Sequence, residues 1–255
     1  MRLDYVTDDG PGARARLGLI VLHVDETIET EIRRLLDTDG VALYCTRVQS
    51  GAELNERTLA ESAARIPGAA RLLPPHTPMD VVGYACTSGA TILGPDNVAR
   101  AIRESRPMES RGAFTRAAVT DPLTAVKAAC AHLGIKRLGF VTPYIASVSS
   151  AMRAALTGSG LEIAAFGSFE QSEERLVARI SPDSVREAIA RVGQSARCDG
   201  VFASCTNLRT LEILEDAELE LGMPVISSNQ ALAWHMLRLA NVSASAPGAG
   251  RLMQG

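Results

Sequence analysis

Residues 80–88 read Asp80-Val81-Val82-Gly83-Tyr84-Ala85-Cys86-Thr87-Ser88, and residues 199–207 read Asp199-Gly200-Val201-Phe202-Ala203-Ser204-Cys205-Thr206-Asn207. Each segment opens on an aspartate, runs through a short apolar stretch, and places a cysteine six positions after the aspartate, followed by a threonine and a small polar residue. A short apolar run of this kind reads as a buried parallel strand. The cysteine then falls at the strand's carboxyl end, where open α/β sheets gather their ligands. A second match backs the first: Arg16-Leu17-Gly18 returns as Arg137-Leu138-Gly139, displaced by 121 residues where the cysteine segments are displaced by 119. Two matches at nearly one displacement describe an internal repeat.

Outward from these segments, short β-branched or apolar runs alternate with amphipathic stretches, the βαβα pattern of a mostly parallel sheet. The predicted strands are Arg16–Leu22, Ala42–Arg47, Val81–Ala85, Arg137–Thr142, Glu162–Phe166, Gly200–Ala203 and Pro224–Ser227. Thr120-Asp121-Pro122 opens a helix over Leu123–Leu133 with Gly134 as its stop, and Ser181-Pro182-Asp183 opens another over Val185–Val192. The fold class is α/β: two pseudo-symmetric lobes, each a short parallel sheet flanked by helices, with the site in the cleft between them. The first lobe is assigned to residues 16–118, with a C-terminal helix at about 229–240 packing back on it, and the second to residues 119–228. The polar, glycine-containing ends, 1–15 and 241–255, read as loosely ordered tails.

Composition removes several classes of function. A net charge of −3, with Lys and Arg spread thinly, offers no basic stripe for a nucleic acid. The first residues lack a signal-like apolar core, and no apolar stretch approaches the ~18 residues of a membrane span, so a cytoplasmic protein with no membrane partner is expected. Five cysteines without CxxC spacing and four scattered histidines favour neither a disulfide framework nor a metal site. No GxGxxG or Walker pattern follows a strand, so a nucleotide cofactor is not expected.

A thiol between a strand end and a helix start lies in the positive field of that helix, which favours the thiolate. Such a cysteine can act as base or nucleophile, and the neighbouring N–H groups with Thr87, Ser88, Thr206 and Asn207 make a cradle for a carboxylate. A single cysteine in this place is ordinarily a small buried hydrophobe. Cys86 and Cys205 differ in being two, in one context, at one offset in two repeat copies. If approximate two-fold symmetry relates the halves, the thiols face one small molecule from opposite sides. Cys45, Cys130 and Cys198 lack that context and read as packing residues.

The stretches around the cysteines, YACTSGA and ASCTNL, together with RLGLIV and the following DETIETEI, RLGFVTPY ending at Tyr144, and PVISSNQALAWHML, resemble the aspartate/glutamate racemase superfamily over most of the chain, particularly its maleate isomerase branch. The resemblance implies two α/β lobes with the site between them, no metal, no organic cofactor, and a homo-oligomer, dimer or tetramer. It implies two-thiol proton transfer, as in the racemases, or thiolate addition to a double bond, as in the maleate isomerases, with Cys86 as the attacking residue. Arylmalonate decarboxylases keep only the later cysteine, so Cys86 speaks against that reaction. Tyr144 matches a family tyrosine that faces the substrate; a lid packed over the sheet is the plainer reading.

The chain departs from the maleate isomerase pattern after the first strand, where Leu22-His23-Val24-Asp25 stands in place of Pro-Ser-Ser-Asn. An ionised Asp25 repels a dianion and welcomes an ammonium group. It also serves well as a cap for the helix through Ile28 to Leu36. In this respect the chain is similar to ectoine-utilisation relatives of maleate isomerase, which share the VDETIE-type stretch. That likeness implies a small amino or carboxylic acid substrate in ectoine or hydroxyectoine catabolism. Cis-trans isomerisation of maleate to fumarate is the alternative, and a carboxylate-binding module without turnover is a third reading, since fold alone does not dictate function.

Overall fold

Asp80 and Asp199 each hold the start of a neighbouring strand. In the computed structural model, which describes residues 1–51, 56–105, 117–243 and 245–254, Asp80 Oδ2 accepts the Arg16 N–H at 2.8 Å and the Asp80 N–H donates to the Arg16 carbonyl at 2.9 Å. Asp199 repeats both contacts with Arg137, at 2.8 and 2.7 Å. The aspartate of the repeat therefore sets the register between the first and third strands of each half, which explains why RLG and Asp recur together.

The first half runs β1 (Ala15–Leu22), α1 (Ile28–Leu35), β2 (Val41–Val48), α2 (Glu56–Ala63), α3 (Ile66–Arg71), β3 (Val81–Ala85), α4 (Thr87–Leu93), α5 (Pro95–Ser105) and β4 (Ala118–Thr120). The second runs α6 (Pro122–Leu133), β5 (Arg137–Tyr144), α7 (Ala146–Thr157), β6 (Glu162–Gln171), α8 (Glu174–Val177), α9 (Pro182–Ser195), β7 (Gly200–Ala203), α10 (Leu214–Leu221), β8 (Val225–Ser227) and α11 (Ser228–Leu239). The strands form two parallel four-stranded sheets ordered β2-β1-β3-β4 and β6-β5-β7-β8, so the second repeats the first strand for strand. Leu17 faces Val81 in one sheet and Leu138 faces Gly200 in the other. Leu17, Leu19, Ile20 and Val21 are all wholly buried, as expected of a strand covered on both faces. These are the two α/β lobes read from the repeat.

The predicted helix starts hold at the atomic level. Asp121 Oδ1 accepts from Leu123 N and Thr124 N at 2.8 and 3.0 Å, Gly134 ends α6 in the left-handed region at φ 70°, and Ser181 caps α9. The strand β4, only three residues long, escaped the sequence pattern. It reaches Thr120, so the chain crosses between the sheets after Thr120 rather than at the 118/119 boundary. Within the span 16–118, residues 52–55 and 106–116 lie outside the described residues, as do Ala244 and Gly255 of the C-terminal tail. Helix α11 leaves the second sheet and lies on β3 of the first, where Met236 Sδ approaches so closely that a Cβ on Gly83 would sit 2.8 Å from it.

The expectation of a loose C-terminal tail needs correction. Leu252 and Met253 are buried, Gln230 Nε2 donates to the Ala249 carbonyl, and the Arg251 N–H donates to Glu218 Oε2 at 2.8 Å. Two apolar anchors and two buried polar groups that need partners dock a segment whose Ala, Ser and Gly content reads as disordered. Residues 1–11 are exposed throughout. Among the described residues no helix is long and apolar enough to cross a membrane.

Candidate active site

Cys86 directly follows β3 and is itself the N-cap of α4. Its backbone is extended (φ −154°, ψ 111°), and Sγ accepts the Gly89 N–H at 3.1 Å, the place a serine or aspartate oxygen usually fills. Ser88 Oγ lies 3.5 Å from Sγ. Gly89 is required by crowding: a Cβ there would stand 2.6 Å from Tyr84 Oη and 2.9 Å from Cys86 Sγ. Tyr84 Oη is wholly buried and within reach of Ser62 and Cys86 without a well-formed hydrogen bond to either.

Cys205 follows β7 in a different local form. Its φ is 142°, a region that favours glycine, and a side chain held there costs on the order of 1–3 kcal/mol. The surroundings hold it: the Cys205 N–H donates to Ser228 Oγ at 3.0 Å and the Asn207 N–H to Cys205 Sγ at 3.4 Å. Ser228, first residue of α11, also accepts the Thr87 hydroxyl at 2.9 Å. The two cysteine loops are therefore joined through Thr87, Ser228 and the Cys205 amide.

Both thiols meet the same neighbours. The Tyr144 hydroxyl, at the end of β5, lies close enough to Cys205 and Cys86 to act electrostatically on both. Asp25 and Glu174 act electrostatically on both thiols. Burial pushes Cys86 up to about 12, against the hydrogen bonds from Ser88 and Gly89. Burial, then the charge of Glu174, lifts Cys205 well above the ordinary thiol range. The expected thiolate-favouring field of the helix is outweighed, because desolvation inside a closed site penalises the charged form more than one short helix rewards it.

Asp25, the residue that departs from the family pattern, does cap α1. Its Oδ1 accepts from Thr27 N at 2.8 Å and Ile28 N at 2.9 Å, and the Thr206 hydroxyl lies near its carboxylate. Burial raises its pKa over those hydrogen bonds. Thr87 and Asn207 have their side chains committed to protein partners. Asn207 Oδ1 accepts the Glu26 N–H at 2.9 Å, and its Nδ2 donates to the Glu174 carbonyl at 3.1 Å and to Glu174 Oε2 at 2.7 Å. It ties the β1–α1 loop to α8.

Sequence reasoning missed Glu174, Ser228, Glu31 and Asn229. Glu174 hides in Ser172-Glu173-Glu174-Arg175, a run that reads as a solvated face, yet it is 5% exposed and burial raises its pKa to about 7. Ser228 and Asn229 lay inside the PVISSNQ stretch without an assigned role. His23, by contrast, is exposed, and its Nδ1 accepts the Ser50 N–H at 2.9 Å. Among the described residues no three His, Cys, Asp or Glu side chains are arranged to hold a metal ion.

Known proteins share this fold and align over most of the sequence. A maleate isomerase of Nocardia farcinica is 27% identical over 245 residues, 94% of this chain and 95% of that protein. An arylmalonate decarboxylase of Bordetella bronchiseptica is 34% identical over 135 residues, 52% of this chain and 56% of that one. Among solved structures, a mutant of the Nocardia farcinica maleate cis-trans isomerase with a covalently bound succinylcysteine intermediate superposes with a TM-score of 0.84 at 27% identity, covering 94% of this chain and 98% of that one. The sequence model of the arylmalonate decarboxylase family matches residues 106–253, more than half of the chain. With that match, and with two parallel sheets arranged as in the solved relatives, the chain belongs to the arylmalonate decarboxylase family and is an enzyme whose relatives matched over nearly the whole sequence include maleate isomerases.

Proposed function

We propose that the chain is a cofactor-independent isomerase that moves a proton between the two faces of a carbon next to a carboxylate, with Cys86 and Cys205 as paired base and acid. One thiolate takes the α-proton and becomes a thiol; the opposite thiol gives its proton to the other face and becomes a thiolate. Atoms and charge balance, and no redox partner enters. The observation that carries the reading is that two thiols at equivalent strand ends share Asp25, Glu174 and the Tyr144 hydroxyl as neighbours. The N–H groups of Thr87, Ser88 and Thr206 donate to no group among the described residues, and they are the carboxylate cradle in this proposal. Ser88 holds the Cys86 thiol, Asn207 and Thr87 fix the loops, and Asp25 favours an amino-bearing substrate such as an ectoine-derived amino acid.

A second reading is favoured by the full-length similarity to maleate isomerases. There the Cys86 thiolate adds to the double bond of maleate, the new single bond rotates, and elimination restores the thiolate and releases fumarate. Asp25 would then have to be protonated.

Proton NMR in heavy water separates the two, with maleate and with each enantiomer of N-acetylated 2,4-diaminobutyrate as substrates for wild type, Cys86→Ser and Cys205→Ser. Deuterium entering the α-position of the amino acid, lost in both variants, supports the two-base isomerase. Fumarate from maleate supports the second reading. No change in any tube counts against both and favours a binding module.

A further inference from the structure

Two buried carboxylates without a cation form the most unusual feature of this site. Asp25, from the β1–α1 loop, and Glu174, from α8, are 3% and 5% exposed, and each raises the pKa of both thiols. Neither forms an ion pair with a Lys, Arg or His side chain among the described residues. Arg47, the cation that acts on Asp25, is turned elsewhere: it pairs with Glu29 at 2.7 Å and donates to the carbonyls of His23 and Asp25 at 3.0 and 2.9 Å. Asn207, the one side chain bonded to the Glu174 carboxylate among the described residues, is neutral, and its Nδ2 is also held by the Glu174 carbonyl, so the carboxylate is oriented without being neutralised. Buried charge is ordinarily paired. Here no cation among the described residues pairs with either carboxylate.

We infer that Asp25 and Glu174 together form the receptor for a substrate ammonium group, which makes the site selective for a small amino acid over a dicarboxylate; this deepens the two-thiol reading and rests on it. The arrangement places a carboxylate cradle at the cysteine loops and a carboxylate pair beside the thiols, so a molecule carrying both an acid and an ammonium matches both ends. A dianion matches the cradle but brings further negative charge to two buried carboxyl groups. The same arrangement links binding to activation. Both carboxylates oppose ionisation of the thiols, and a bound ammonium cancels that opposition at the moment a base is needed, whereas a bound dianion adds to it.

The charge balance gives the inference a sign that can be measured. With its pKa raised to about 7 by burial and by Asp25, Glu174 is more than half protonated in the free enzyme at pH 6.5. Among the described residues, the titratable groups coupled to Glu174 are Asp25, Cys86, Tyr144 and Cys205, and none of them brings a positive charge. An arriving ammonium drives that proton off, and an arriving dianion draws one on.

Calorimetric titration at pH 6.5 in buffers of different ionisation enthalpy reads this directly, with 2,4-diaminobutyrate and succinate as probes. The expected result is proton release with 2,4-diaminobutyrate and an affinity at least tenfold above that for succinate. Glu174→Gln keeps the bond from Asn207 and should abolish the proton release while reducing that preference tenfold or more. Asp25→Asn, checked by circular dichroism because Asp25 also caps α1, should act in the same direction. Succinate binding as tightly as 2,4-diaminobutyrate with proton uptake, no binding of 2,4-diaminobutyrate, or an unchanged preference in Glu174→Gln would overturn the inference. The titration reads binding and proton release without turnover, so a failure of the thiol chemistry in the deuterium experiment leaves this result readable on its own.

Discussion

Glu31 of α1 and Thr210, in the loop beyond Cys205, are joined between the two lobes: Glu31 Oε1 accepts the Thr210 N–H at 2.6 Å and Oε2 accepts its hydroxyl at 3.1 Å. The same carboxylate takes the Leu211 N–H at 2.9 Å and Asn229 Nδ2 at 2.8 Å. Asn229 in turn donates to the Thr206 carbonyl, next to the second thiol. One acid thus satisfies four donors and holds the Cys205 loop against the first lobe. Glu31→Ala leaves the two Thr210 donors and the Leu211 N–H buried without an acceptor, at about 1–3 kcal/mol each, and Asn229 Nδ2 with only the Thr206 carbonyl. Urea unfolding should show a loss of at least about 3 kcal/mol, with Glu31→Gln recovering part of it.

Ser228 carries the second connection between the halves. Ser228→Ala removes the acceptor of both the Thr87 hydroxyl and the Cys205 N–H, in a residue already held at φ 142°. The expected cost is about 1–3 kcal/mol in stability and a larger effect on turnover, because the strained backbone that aims Sγ relaxes. A double-mutant cycle with Thr87→Val, read in the deuterium-exchange rate, should show strong non-additivity.

Gly89→Ala tests the packing around the first thiol. The new methyl group would lie under 3 Å from both Tyr84 Oη and Cys86 Sγ. Overpacking of this kind costs about 1–3 kcal/mol. Turnover should fall by more than about a hundredfold through displacement of Sγ, while a thermal melt shows a folded protein. A variant with wild-type turnover would show that the position of Sγ is not critical.

Burial orders the reactivity of the five cysteines. With Cys86 pushed up to about 12 and Cys205 well above its ordinary value, iodoacetamide at pH 8 should label Cys198 and Cys45 long before either, since both are only partly buried. Peptide mass spectrometry over a time course checks the order. Rapid labelling of Cys86 in the free enzyme would mean that the thiolate is already formed at rest.

Asp199 contributes at acid pH. The Arg137 guanidinium and backbone hydrogen bonds hold its carboxyl well below the usual carboxylate range. A group depressed on folding adds stability above its unfolded pKa, near 4, and that stability is lost as pH falls toward the folded value. Asp199→Asn should therefore lose stability relative to wild type at pH 7, and the difference should shrink steadily below about pH 4. A difference independent of pH would assign the contact to hydrogen bonding alone.

Much of the molecule was legible in the residues because the repeat is local chemistry written twice. An aspartate that fixes strand register, an apolar strand and a cysteine at its end are all set by near neighbours, so seven of the eight described strands, the capped helices α6 and α9, and the cysteine pair could be read directly. The family likeness rested on the same short stretches. Asp25 was open to two readings, and the structure shows the cap through its hydrogen bonds to Thr27 and Ile28.

What only the tertiary structure decided is what lies far apart in sequence and close in space. Glu174 sits 149 positions beyond Asp25, in a run whose charges read as solvated, and only packing of α8 over the cysteine loops buries it. The docked C-terminus and the Ser228 and Glu31 connections have the same origin, since each pairs groups from distant segments. The resting state of the thiols was misread for a related physical reason. A helix terminus acts within one turn and can be read from sequence, whereas desolvation depends on everything that closes around the atom.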